Sequence, residues 1–168
     1  MFMLERHEYK KRCQEAYDDG FNQRRKVMSI IIDIMDQHAM AVPYLGSQDY
    51  FETPVHQIII GAKEHGQRVH LFRTIGTAEK SKDLIVYVIL SMLENFRANH
   101  PNNEYPEKFY VQVDGGSENA NNTVLGILEL LVAKRVCRVV LYTRLPKGHT
   151  HEVILVFIII VFFVSFAF

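Results

Sequence analysis

The chain has 168 residues, enough for one domain with an ordinary core. Its 19 basic residues balance 19 acidic ones, which excludes the strongly basic footprint of an autonomous nucleic-acid binder but leaves room for a local patch. Two cysteines far apart, Cys13 and Cys137, exclude a disulfide framework and fit a reducing, intracellular setting.

Residues 1–26 are polar and helix-favouring, without the features of a secretory signal. Leu4, Tyr9, Cys13, Ala16 and Tyr17 recur loosely on one helical face. Asp19-Gly20 predicts the stop, and Arg24-Arg25-Lys26 reads as a solvated entry to a strand. Val27 to Ile34 is almost wholly apolar and β-branched, as a central buried strand requires. Met40 to Thr53 reads as a loop. Val55 to Ala62 and Arg68 to Ile75 flank Lys63-Glu-His-Gly-Gln67, which predicts a hairpin with Gly66 in its turn.

Asp83 can cap the next helix, whose apolar stripe is Leu84, Val88, Met92 and Phe96 with Ile85, Ile89 and Leu93. That helix is expected to end near Asn99, before Pro101. Lys108 to Val113 is a further strand. Asn119 to Lys134 predicts a helix with Val124, Leu125, Leu128, Leu131 and Val132 inward, and Arg138 to Thr143 a fifth strand. The succession is β-β-β-α-β-α-β with a final helix expected, hence an α/β domain whose mixed sheet is covered by helices on both faces. Ribonuclease-H-like folds have this order, whereas a doubly wound flavodoxin-like sheet does not start with a hairpin.

Three acids stand at or beyond the ends of these runs: Asp33, Asp114 and Glu152. Carboxylates converging where a buried sheet meets solvent make a hard oxygen site of the kind Mg²⁺ or Mn²⁺ takes. Asp36 rivals Asp33 as first ligand if the strand runs longer. Against this stands the plain fact that Asp is common at strand ends. Asp114 leads Gly115-Gly116-Ser117-Glu118-Asn119, in which glycines allow a sharp turn and Ser117 or Asn119 can cap a helix. Asn119 is also a candidate for positioning substrate. The third string is Leu145-Pro-Lys-Gly-His149-Thr-His151-Glu152, separated from Asp114 by one helix and one strand. His149 and His151 are candidates for orienting substrate, water or the carboxylates. With Cys137 they form an alternative zinc set, but the paired ligand spacings are missing.

Together, Ser29-Ile-Ile-Ile-Asp33-Ile-Met-Asp36-Gln37, Val113-Asp114-Gly-Gly-Ser-Glu-Asn119-Ala-Asn and Leu145-Pro-Lys-Gly-His149-Thr-His151-Glu152 resemble an integrase-like family of eukaryotic genomes. That family is related to transposases and ribonuclease H. The resemblance runs from Leu4 to Glu152. It implies a triad of Asp33 (or Asp36), Asp114 and Glu152 holding two Mg²⁺ ions for phosphoryl transfer on DNA, in the nucleus for an intact relative. Two departures matter. Ile34 stands where the family has Gly, and Val153-Ile154-Leu155 replaces an acidic continuation into a helix.

Val153 to Phe168 is sixteen residues without charge, Gly or Pro. A membrane span needs about 20 apolar residues, with a lower limit near 17. Two expectations follow. Either the segment is a C-terminal membrane anchor, or it is foreign to the domain, which is then truncated at its third motif and inactive. Three function classes stay open on sequence alone: a transposase-derived nuclease-like domain, here fragmentary and part of a longer protein; a non-catalytic binding module; and a tail-anchored membrane protein.

Overall fold

The computed structural model describes residues 2–34, 57–75, 82–114 and 122–145. Its elements are α1 (Phe2–Phe21), β1 (Val27–Ile34), β2 (Gln57–Glu64), β3 (Val69–Ile75), α2 (Lys82–Ala98), β4 (Lys108–Asp114), α3 (Asn122–Ala133) and β5 (Val139–Leu145). The strands form one mixed sheet in the order β3-β2-β1-β4-β5. The β1–β2 and β2–β3 pairs are antiparallel, while β1–β4 and β4–β5 are parallel.

β1 is central, which is why its sequence is apolar on both sides of the pleat: Met28, Ile30, Ile31 and Ile32 are all essentially inaccessible. One sheet face carries Met28, Ile30, Ile32, Ile58, Ile60, Phe109, Val111 and Val113. These pack with Ile85, Ile89, Met92 and Phe96 of α2 and Val124, Leu128 and Leu131 of α3 in a single core. The other face is crossed by α1, which buries Ala16 and reaches β4 and β5 through polar contacts. Lys108 Nζ and Tyr110 Oη donate to Glu15 at 2.7 and 3.0 Å, and Arg12 Nη1 donates to Thr143 Oγ1 at 3.4 Å. Helices therefore cover both faces.

Several expectations need correction. β2 extends two residues further than its apolar run, through Lys63 and Glu64, because these pair with Ile31 and Ile30 of β1. The connection is thereby confined to residues 65–68, with β3 starting at Val69 and not at Arg68. In α3, Leu125 and Val132 face outward at 43% and 40% exposure, and Val124, Leu128 and Leu131 alone make the buried stripe. Tyr17 of α1 is likewise exposed. Arg25 is not a solvated residue. Its guanidinium lies 5.1 Å from the Phe96 ring centroid, donates to the Asn99 carbonyl at 3.0 Å, and stands 3.8 Å from Glu64. α1 ends at Phe21 with Gln23 and Arg25 at positive φ, and Asp19 Oδ2 accepts from the Lys26 and Val27 amides at 2.5 and 2.9 Å. That carboxylate ties the helix exit to the first residue of β1.

Candidate functional site

Parallel pairing of β1 with β4 begins at Val27↔Lys108 and continues to Ile32↔Val113. Asp33 and Asp114 are the next residue in each strand. They occupy equivalent positions at the carboxyl ends of two adjacent central strands, one strand spacing apart, about 4.8 Å. Asp33 is buried, 7% exposed, and its antiparallel partner in β2 is Gly61, which brings no side chain to that position. Asp114 pairs on its other side with Leu145, the last residue of β5. Two residues before Asp114, Gln112 is fully buried, with no partner for either amide atom among the described residues.

The sheet thus brings two of the expected acid positions together, Asp33 by its buried side chain and Asp114 by its backbone pairing. Asp36, Asn119, His149, His151 and Glu152 lie outside the described residues, as does Val153 to Phe168. Among the described residues no group of three His, Cys, Asp or Glu gathers to hold a metal, and no helix is long and apolar enough to cross a membrane. Cys137 is a poor zinc candidate by itself: it is buried at the entry to β5, and burial pushes its thiol up to about 11, away from the thiolate a zinc site uses.

A second polar cluster was not legible in the sequence. His65 opens the β2–β3 turn and is 8% exposed. Its Nδ1 lies 3.0 Å from the Ser29 carbonyl and 3.1 Å from Ser29 Oγ, and its Nε2 lies 3.1 Å from Tyr9 Oη. A carbonyl oxygen only accepts, so Nδ1 carries the proton and Nε2 accepts from the Tyr9 hydroxyl. The ring is held neutral: burial, with the nearby Lys63 charge, pushes it down to about 4 against the pull of Ser29. Burial likewise raises the Tyr9 hydroxyl and the Cys13 thiol beside it. Glu64 next to His65 is raised by burial, opposed by Arg25 and Arg68, and His70 Nε2 lies 3.8 Å from it. The chain reverses at Gly66, with φ +79°, where an added Cβ would lie 3.0 Å from the Tyr17 Cα of α1.

A protein-family model describing a domain of unknown function, DUF7869, matches residues 48–157. The chain belongs to the DUF7869 family. The match takes in β2 through β5 and runs past Glu152, while α1 and β1, with Asp33, precede it. No curated protein matches the chain. Among solved structures, the DUF7869 chain is similar to the MID-PIWI domains of N. crassa QDE-2 AGO, with 18% identity and a TM-score of 0.39. That similarity covers 74% of this chain and 35% of the other, so the chain spans about a third of that structure's length.

Proposed function

We propose that this DUF7869 chain is an integrase-like, transposase-derived domain of ribonuclease-H-like fold, whose intact form carries out Mg²⁺- or Mn²⁺-dependent phosphoryl transfer on DNA. The observation that carries the reading is the flush register of Asp33 and Asp114 at the carboxyl ends of β1 and β4. Support also comes from the β-β-β-α-β-α-β order behind α1. Two acid positions level at the carboxyl ends of adjacent central strands suit a hard divalent cation, which takes oxygen ligands. The buried Gln112 amide, without a partner among the described residues and one strand period before Asp114, adds polar groups close to that rim.

On this reading Asp33 (or Asp36), Asp114 and Glu152 would hold the metal ions. When bound, the ions supply charge stabilisation to the attacking and leaving oxygens of a phosphodiester. The reaction class is attack of water or a 3′-hydroxyl on phosphorus, with one P–O bond formed and the bond to the leaving sugar oxygen broken. His149 or His151 orients the nucleophile, and Asn119 positions the substrate backbone.

Because Glu152 lies outside the described residues, binding is the first readout. Calorimetry is expected to give submillimolar Mn²⁺ binding that Asp33→Asn and Asp114→Ala each abolish. Any Mg²⁺-dependent cleavage of DNA by the parent should disappear in Asp114→Ala. Equal cleavage by both proteins, or no Mn²⁺ binding by the parent, sinks the metal reading and leaves a non-catalytic binding module.

A further inference from the structure

An open cleft of about 760 Å³ runs between α1 and the β2–β3 hairpin, lined among others by Lys10, Gln14, Tyr17, Lys63, Gln67 and Arg68. We propose that this cleft binds single-stranded nucleic acid, with phosphates on Lys10 and Arg68 and a base stacked on the Tyr17 ring. The inference does not rest on the metal reading.

Charge is the first argument. Lys10 and Arg68 are exposed, while the acid of the lining, Glu64, is buried, stands 3.8 Å from Arg25 and feels the Arg68 charge as well. The cleft therefore presents positive charge on a chain whose overall charge is zero. The acids in the later part of α1 have partners of their own: Glu15 accepts from Lys108 and Tyr110, Asp18 accepts from Gln14, and Asp19 anchors β1.

The second argument is aromatic. Tyr17 is 53% exposed and Phe21, one turn on, is 79% exposed. Both sit on a helix whose position is fixed, since the Tyr17 Cα lies 3.0 Å from where a Cβ on Gly66 would stand. A rigid exposed ring beside cations is a stacking platform, and stacking needs a base turned out of a duplex. Charge alone would accept any polyanion; the ring beside it selects the single strand.

The test is fluorescence anisotropy of the full chain with a labelled oligothymidylate of about 15 nucleotides, a length that spans the usual site sizes. Chelator is present, so metal plays no part. The parent is expected to bind at low salt. Lys10→Ala with Arg68→Ala should flatten the slope of log K against log salt by roughly 1.4, the value for two phosphate contacts on a single strand. Tyr17→Ala should weaken binding roughly 5- to 150-fold, the range for one stacked base, and Tyr17→Phe should restore it. Arg138→Ala, which removes an exposed cation by the opposite edge of the sheet, should bind like the parent, and the chelator separates this inference from the metal reading. Absence of parent binding overturns the proposal, as do unchanged affinities in both cleft variants. Equal competition by duplex DNA or by polyglutamate overturns the single-strand assignment.

Discussion

His65 should make the domain acid-sensitive in a defined window. Its folded value is about 4 against an ordinary 6.5, so between those values the unfolded chain binds more protons than the folded one. Stability therefore rises with pH across the window and is lost as pH falls from about 6.5 toward 4. The full shift is worth about 3 kcal/mol, and by about pH 4.5 some 2.5 kcal/mol of it is gone. The structural reason is that a proton on Nε2 displaces the hydrogen bond accepted from Tyr9, inside a cluster already containing Lys63 and flanked by Arg25 and Arg68. Glu64 works in the opposite sense, because its folded value is raised and protonation favours the fold. His70, lowered by burial and by Arg68, adds to the His65 effect. A comparison with His65→Asn cancels both neighbours. Asn keeps a donor for the Ser29 carbonyl and has nothing to titrate. Urea unfolding of both proteins from about pH 7.5 to 4.5 is the assay. The parent should lose about 2.5 kcal/mol more than the variant over that range. Parallel losses would refute a neutral, buried His65.

Removing Arg25 strips Glu64 of its 3.8 Å cation and Phe96 of its stacked guanidinium. Arg25→Ala should cost about 2–3 kcal/mol, since a buried carboxylate is left behind. Adding Glu64→Gln should recover part of that cost in a double-mutant cycle; additive losses would show that the two residues do not interact. Gly66→Ala combines a φ of +79° with a Cβ 3.0 Å from the Tyr17 backbone. Its unfolding free energy should fall by about 1–3 kcal/mol, and a variant as stable as the parent would mean that α1 is not packed on the turn. Phe109→Ala empties a fully buried site in the core beneath α2 and α3, for which thermal or chemical unfolding should register about 3–5 kcal/mol.

What could be read from sequence follows the range of the interaction that decides each feature. β1 has the expected extent and α2 ends within a residue of Asn99, because burial on both faces of a strand, or on one wide stripe of a helix, writes a local period into the chain; α2 begins at Lys82, so Asp83 lies in its first turn and does not cap it. The ends of β2 do not, since Lys63 and Glu64 are strand only by virtue of pairing with β1. Leu125 and Val132 have the composition of core residues and still face outward, because helical spacing defines a stripe only to within its edges. Arg25 and His65 were unreadable for a different reason: each is defined by partners more than 30 residues away, Asn99 for one and Ser29 and Tyr9 for the other.

The carboxylate pair falls between these cases. Neighbouring of β1 and β4 follows from element order, but alignment of the acids is a matter of register, which composition does not encode. The ladder starts flush at Val27↔Lys108, and each acid stands six residues further along its strand. Six steps in both strands keep the two positions level and on the same side of the pleat. A slip of one residue would shift them by about 3.3 Å and put them on opposite faces. Hydrophobic burial guards against that slip, because it would also turn Ile30 and Ile32, or Val111 and Val113, out of the core they share with α2 and α3. The packing that stabilises the sheet is thus the same interaction that holds Asp33 level with Asp114.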